Sequence, residues 1–343
     1  MSSSLSLPPR KIGDTPVSAI GFGAMTIAIT YIPGAAVASD EERFKVLDEA
    51  YASGCTFWDS ADIYGDSEEL IGKWFKRTGK RSEIFLATKF GIGSPSGKPI
   101  DGDPEYVKAA FEKSLKRLGV DSVDLYYLHR PDPTVPIERT VEAMASLVKA
   151  GKVKYLGISE CSAATLHRAN AVHPISALQI EYSPFTLDIE HEQFGLLKAA
   201  RELGITVVAY SPLGRGLLTG QIRTHSDLDP KDWRYNVPRF SAENFPNIIK
   251  LKEGLEKIGE RHGATSGQVA LAWLLAQGND IIPIPGTKTV KYLKENLASA
   301  DVKLTPADIR EVRDLAELVE KGITGARYPP GMSDYLFVDT PKL

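Results

Sequence analysis

Four ionisable residues end or follow three short apolar runs of this chain. The run Thr56-Phe57-Trp58-Asp59 closes on a carboxylate and is followed by Tyr64. Ile84 to Thr88 leads into Lys89, and Val123 to Leu128 leads into His129. Asp, Tyr, Lys and His are the side chains needed to hand a proton to a carbonyl oxygen near neutral pH. A free phenol has a pKa of about 10, high for an acid working at pH 7. A nearby ammonium favours the phenolate and lowers that value, which is the role read for Lys89. A buried lysine needs a carboxylate partner to stay charged, and Asp59 can supply it. The reading is therefore Tyr64 as acid, Lys89 as tuner, Asp59 as anchor and His129 as a second hydrogen-bond donor to the substrate oxygen. Any one of them alone is more often a packing or surface residue. All four at strand ends meet at one mouth, where unpaired charges are costly to bury.

The elements that must position them alternate along the chain. Eight short β-rich runs stand out: Ser18–Phe22, 56–59, 84–89, 123–128, Lys154–Ile158, Ala177–Ile180, Thr206–Tyr210 and Ile281–Ile284. Runs without polar alternation suit strands buried on both faces. Between them lie helix patterns. Asp40-Glu41-Glu42 opens one that Gly54 ends, and Asp103-Pro104-Glu105 opens another that Gly119 closes. Ile137 to Ala150 stops at Gly151, and His191 to Leu203 stops at Gly204. A glycine stop before the next strand is an αβ-loop signature. Eight such units predict an α/β fold, a (β/α)₈ TIM barrel, rather than a doubly wound sheet.

Three segments interrupt the rhythm. Lys11 to Val17 predicts a β-hairpin that plugs the barrel's bottom. Ser211 to Asn247 predicts a long loop after strand seven, a length that usually carries function. A helix over 307–319 precedes a tail containing Arg327-Tyr328-Pro329-Pro330, expected to lie over the mouth. The division expected is residues 1–9 as a flexible tail, 10–320 as one barrel domain and 321–343 as a C-terminal tail near the substrate pocket.

A net charge of −3 over 343 residues gives no general attraction to nucleic acid or anionic membrane. Two cysteines, Cys55 and Cys161, cannot build a disulfide framework or a Cys-rich metal site. No His pair has metal-ligand spacing, so no metal is expected. No run reaches the roughly 18 apolar residues of a membrane helix, and the N-terminus lacks a signal-peptide pattern. The expectation is a cytoplasmic protein, monomer or homo-oligomer, acting on a small molecule.

A dinucleotide would need an unusual cradle, because no Gly-x-Gly-x-x-Gly fingerprint occurs. The best candidate is Pro283-Ile284-Pro285-Gly286-Thr287-Lys288, just ahead of a helix pattern whose free N–H groups can face an anion. Barrel phosphate sites commonly use the loops after strands seven and eight. Lys288, Lys291 and Lys294 lie roughly on one side of that helix.

The stretch Phe57-Trp58-Asp59-Ser60-Ala61-Asp62-Ile63-Tyr64-Gly65 resembles the aldo-keto reductase signature. Ala87-Thr88-Lys89 and Tyr127-Leu128-His129 resemble that family's Lys and His segments, and the likeness runs from about Arg10 to Ser299. Gly21-Phe22-Gly23-Ala24-Met25 and Ser159-Glu160-Cys161-Ser162 are most similar to the microbial and plant branch that includes pyridoxal reductase-like enzymes. The resemblance implies a (β/α)₈ barrel that reduces aldehydes or ketones with NADPH, and it carries the tetrad onto Asp59, Tyr64, Lys89 and His129. It further implies nicotinamide contacts from Ser159 and Gln179, stacking by Tyr210, and a pyrophosphate loop of Ser211, Leu213, Gly214 and Arg215. Gly23, Ala24, Met25, Ile284, Gly286 and Thr287 follow as cofactor neighbours, with Lys288 on the 2′-phosphate and Glu295 and Asn296 on adenine. Many members of the family have Asn where Glu160 stands, which leaves one carboxamide contact open.

Substrate contacts are expected from loops above the mouth: Met25 to Tyr31, Trp58, Phe90, Arg130, the loop with Trp233 and Tyr235, and Tyr328. Aromatic lining suits a flat aldehyde or ring-bearing ketone. Arg130 can attract a negative group or form a loop salt bridge. Two other readings stay open: a redox sensor like the potassium-channel β subunits, and a Schiff-base enzyme using Lys89.

Overall fold

A computed structural model describes residues 9–343 of the protein. The predicted N-terminal tail lies outside the described residues except Pro9, which opens the first strand.

Strands β1 (Pro9–Ile12) and β2 (Thr15–Ser18) form an antiparallel hairpin. Gly13 takes φ +58 in its turn, where a side chain would also overlap the Tyr155 ring. The hairpin buries Ile12 and Val17 against Phe57, Phe85, Leu125, Val208 and Ile282, so it seals one end of the barrel interior. Ser18 pairs with Pro9 in this hairpin. The first barrel strand therefore starts later than the run Ser18–Phe22 suggests.

Eight parallel strands follow: β3 (Phe22–Gly23), β4 (Phe57–Asp59), β5 (Phe85–Phe90), β6 (Val123–Leu128), β7 (Val153–Ser159), β8 (Ile175–Glu181), β9 (Thr206–Tyr210) and β10 (Ile281–Pro283). They hydrogen-bond in sequence order, and the ring closes where Gly21 N donates to Pro283 O (2.9 Å) and Gly23 N to Pro285 O (3.3 Å). Gly23 permits that closure, because a Cβ there would sit 2.6 Å from Ile284 O.

The two-residue period of a strand divides the apolar residues into two cores. Phe57, Ala87, Leu125, Tyr127, Ala177, Val208 and Ile282 fill the barrel. Trp58, Leu86, Phe90, Tyr126, Leu128 and Ile158 face outward, under the helices.

Helices Asp40–Ala52, Pro104–Leu118 and Ile137–Lys149 match their predicted spans closely. Ser39 caps the first in a capping box, and Asp103 with Pro104 starts the second. The pattern over His191–Leu203 yields only Leu196–Glu202, because Gly195 enters with φ +56 and breaks the earlier turns. The long loop after β9 ends at Asn244, where helix Phe245–His262 begins with Pro in its first turn. Within it lie four short 3₁₀ segments rather than a structureless excursion. After helix Pro306–Gly322 the chain crosses the mouth and runs to helix Ala163–Val172, where Ser162 N donates to Val338 O (3.1 Å) and Arg168 to Thr340 O (2.8 Å). No helix among the described residues is long and apolar enough to cross a membrane.

Candidate active site

Strand parity places the chemistry. Asp59, Lys89, Ser159, Gln179 and Glu181 share the inward phase of Phe57, Ala87, Gly157 and Ala177, at the carboxyl ends of β4, β5, β7 and β8. His129 follows β6, its backbone N donating to Phe90 O (2.8 Å). Tyr64 comes from the loop after β4.

These four side chains come together. The Lys89 ammonium is fully buried and ion-paired with Asp59, and it also donates to Ser60 O at 2.6 Å. The other Asp59 oxygen accepts from Gln179 Nε2 at 2.8 Å. Lys89 Nζ sits 5.0 Å from the Tyr64 ring centroid, and the Tyr64 and His129 rings meet edge to face at 5.7 Å. Tyr64 is half-buried: protein surrounds the ring while its hydroxyl has no partner and is not sealed off. His129 Nδ1 is buried without a partner among the described residues. Its Nε2 is the nitrogen left for the mouth.

Burial dominates the ionisation of this group. It pushes the Tyr64 phenol above its ordinary value, although Lys89 and Arg130 both pull it down. The lowered phenol expected from sequence is thus outweighed by desolvation. Burial holds the His129 imidazolium well below its ordinary range, and Lys89 and Arg130 add to that. His129 is therefore neutral at pH 7 and Tyr64 keeps its proton. Burial raises the Asp59 carboxyl, with Lys89 and Gln179 opposing it.

A second buried network adjoins the first. Arg327, from the C-terminal tail, donates to Glu160 Oε2 at 3.0 Å and to Glu181 Oε2 at 3.2 Å. Arg215 donates to the same Glu181 oxygen at 2.8 Å. Tyr210 Oη donates to Glu160 Oε1 at 2.7 Å and meets Tyr328 Oη at 3.0 Å. Burial alone would raise Glu160, yet Arg327, Arg130 and the Tyr210 hydroxyl together hold it below its ordinary value. Glu160 takes φ +55, a strained backbone for a side chain of its size. Its oxygens accept from Arg327 and Tyr210 Oη and, at 3.4 Å, from Glu181 N. Glu181 and Arg327 were missed by sequence. Glu181 could have been found, two residues beyond Gln179 on the same face. Arg327 offers no local pattern, its partners lying 146 and 167 residues away.

An aromatic roof covers this centre. Trp233 lies 6.1 Å from Tyr31 and stacks at 6.1 Å and 10° on Tyr328. The Arg215 guanidinium packs against both, 4.4 Å from the Tyr328 ring and 5.0 Å from Trp233. Trp233 N donates to Tyr31 O at 3.0 Å, tying the loops after β3 and β9 together. The Arg215 side chain thus serves roof and network, leaving only backbone for the pyrophosphate contact expected of it.

Of the predicted pocket residues, Tyr31 reaches the roof and Arg130 reaches the mouth, its Nη1 donating to His129 O (2.7 Å) and Ser159 Oγ (3.1 Å). Trp58 and Phe90 do not line the pocket. Each is adjacent in sequence to an inward residue, Asp59 or Lys89, and so points outward. Trp58 packs on Trp74 and Phe75, and Phe90 stacks on Tyr126 at 5.0 Å.

The dinucleotide candidates line a path from the mouth past β10. Gly23, Ala24 and Met25 leave β3 beside Ile284 and Gly286; a Cβ on Gly286 would lie 2.8 Å from Thr26 Oγ1. Thr26 Oγ1 is buried without a partner among the described residues. Ser211 and Gly214 have φ +49 and φ +56, turning the backbone after β9. Buried Thr287 accepts from Thr289 N (3.2 Å) just before helix Val290–Leu297, Lys288 is exposed, and Asn296 is buried near the helix end. Glu295 accepts from Thr265 Oγ1 at 2.8 Å. An unsatisfied hydroxyl beside two glycines, an exposed lysine and an adjoining helix start fit a phosphorylated dinucleotide.

The model of the Aldo/keto reductase family matches residues 19–317. The chain is 61% identical over 339 residues to Aldo-keto reductase str7 of Strobilurus tenacellus, covering 98% of this chain and 99% of that protein. It is 49% identical over 344 residues to Aldo-keto reductase yakc, NADP(+), of Schizosaccharomyces pombe, covering 99% of both. Among solved structures, the glycerol dehydrogenase AKR11B4 from Gluconobacter oxydans superposes with TM-score 0.77 at 27% identity, covering 92% of this chain and 95% of that one. The thermostable aldo-keto reductase Tm1743, in complex with the inhibitor epalrestat, gives TM-score 0.71 at 32% identity, covering 90% and 99%. With a closed eight-stranded barrel, these matches along nearly the whole length show that the chain belongs to the aldo-keto reductase family.

Proposed function

We propose that this chain reduces aldehydes or ketones to alcohols with NADPH, with Tyr64 as general acid. As a member of its family it is an oxidoreductase acting on small carbonyl compounds. The observation that carries the finer reading is an open phenol and a neutral imidazole above a sealed Lys89–Asp59 ion pair.

Reduced nicotinamide, when bound, supplies a hydride to the carbonyl carbon. The chain's own residues handle the oxygen. Tyr64 keeps its proton at neutral pH because burial raises the phenol, so it has one to give. Once that proton has moved, Lys89 and Arg130 stabilise the phenolate left behind; both already favour the charged form. Asp59 keeps the Lys89 charge in place, and Gln179 and Ser60 hold the pair in one geometry. His129 Nε2 orients the oxygen beside Tyr64. The aromatic roof of Tyr31, Trp233 and Tyr328 excludes water and suits a flat substrate.

For the cofactor, Ser159, the Gly23–Met25 turn and the backbone of Ser211, Leu213 and Gly214 would hold the nicotinamide end. Gly286, Thr287, Lys288, Glu295 and Asn296 would hold the adenosine phosphate end. Exposed Lys288 favours a 2′-phosphate, as does the NADP(+) in the name of the Schizosaccharomyces pombe relative. Two buried, unpaired cysteines accord with a reducing cytoplasm, the location we assign, for a monomer or homo-oligomer.

Fluorescence titration with NADPH, followed by a screen of aromatic and pyridoxal-type aldehydes, tests this reading. Saturable NADPH binding with aldehyde-dependent NADPH consumption is expected. Binding without turnover of any carbonyl would point to a sensor instead.

A further inference from the structure

Arg130 is 9% exposed, on the chain segment that also carries His129. Three other buried cations share this mouth, and each has a carboxylate. Lys89 is paired with Asp59, Arg215 with Glu181, and Arg327 with Glu160 and Glu181. At the edge, Asp188 is shared by Arg327 and Arg239. Arg130 makes no ion pair among the described residues. It spends Nη1 on His129 O and Ser159 Oγ, while Nε and Nη2 have no protein partner and are not sealed away. A guanidinium is always charged and presents its donors as a planar fork. A largely buried fork with one edge satisfied and one edge free leaves two convergent donors for an anion. The bonds to His129 O and Ser159 Oγ fix that fork beside the proton donor, so the free edge cannot swing away to solvent.

We propose that Arg130 is a specificity residue that binds an anionic group, a carboxylate, carried by the carbonyl substrate. This rests on the reductase reading above and narrows it to keto acids and acid-bearing aldehydes. The roof supports the same class: Tyr31, Trp233 and Tyr328 offer ring faces, and beneath them Arg130 is a buried cation with no ion pair among the described residues. Bidentate Arg–carboxylate pairing is both strong and directional.

The test compares 3- and 4-carboxybenzaldehyde with their methyl esters, using NADPH and the full chain at low salt. The readout is the acid-to-ester ratio of kcat/KM, which does not depend on how much enzyme is folded. In the wild type the ratio should exceed one for at least one pair. Arg130→Met should lower it at least tenfold, mainly through KM for the acid, and Arg130→Lys should restore part of it. An unchanged ratio in Arg130→Met would overturn the proposal. So would weakened NADPH binding with no change in ratio, because the fork would then serve the dinucleotide. If neither the acids nor the esters are consumed, binding decides the subsite. Benzoate that quenches tryptophan fluorescence in the wild type but not in Arg130→Met would uphold it, and benzoate that binds neither would overturn it.

Discussion

Arg327 reaches back across the barrel mouth to hold Glu160 Oε2 at 3.0 Å, with both side chains almost wholly buried. The Glu160 carboxylate anchors the C-terminal tail. Removing one partner of a buried pair leaves the other charge uncompensated, typically a loss of about 3–5 kcal/mol. Arg327→Ala should therefore destabilise by about that amount in urea unfolding and expose the tail to protease. Glu160→Gln combined with Arg327→Met should recover part of the loss. Equal damage in the double variant would reject charge compensation as the cause.

The barrel was legible in sequence because Gly54, Gly119, Gly151 and Gly204 stop their helices before the next strand and most strands are unbroken β-rich runs. Gly119 indeed ends its helix in the left-handed conformation. The meeting of Asp59, Lys89 and His129 was legible because they sit at strand ends, and Tyr64 follows in the loop after β4. Trp58 and Phe90 were misplaced by a parity slip: neighbours along a strand face opposite sides, so a residue touching a site in sequence is often the one that cannot touch it in space. The Glu181–Arg327–Glu160 network was largely hidden, because its geometry depends on a tail folding back over distant strands.

Asp62 gives a pH test. Burial first, and then the Glu68 charge, push its carboxyl up to about 7, with one oxygen buried and unpartnered. An unfolded Asp releases its proton near pH 4. Between these values the folded state holds a proton that the unfolded state has lost. Stability from this group is complete below about pH 4 and is lost as pH rises towards 7. Asp62→Asn should thus gain stability relative to wild type between pH 5 and pH 8, on the order of 2 kcal/mol in urea unfolding. A constant difference across that range would show that Asp62 ionises normally.

His129 carries the opposite sign. Its folded value lies well below the unfolded value of about 6.5, so unfolding takes up a proton and stability falls as pH drops below 6.5. His129→Gln should flatten this slope in thermal unfolding between pH 7 and pH 5. An unchanged slope would mean the ring takes up its proton as readily in the folded protein as in the unfolded chain.

Lys288→Ala should weaken NADPH binding roughly tenfold while leaving NADH within about twofold, read by fluorescence titration. Equal losses would remove Lys288 from the 2′-phosphate.

Gly157 tests the barrel interior that supports the site. A Cβ there would overlap the Tyr127 ring, which fills the core below His129. Gly157→Ala should cost about 1–3 kcal/mol by overpacking. A neutral effect would mean the Tyr127 ring moves freely.

The proton donor is the centre of the account, and Tyr64→Phe measures it most directly. NADPH affinity by fluorescence and aldehyde-dependent NADPH consumption should be followed on the same preparation. The account predicts turnover reduced by about 10²- to 10⁴-fold with NADPH affinity almost unchanged. Turnover close to that of the wild type would contradict it, because the Lys89–Asp59 pair would then be serving no phenol.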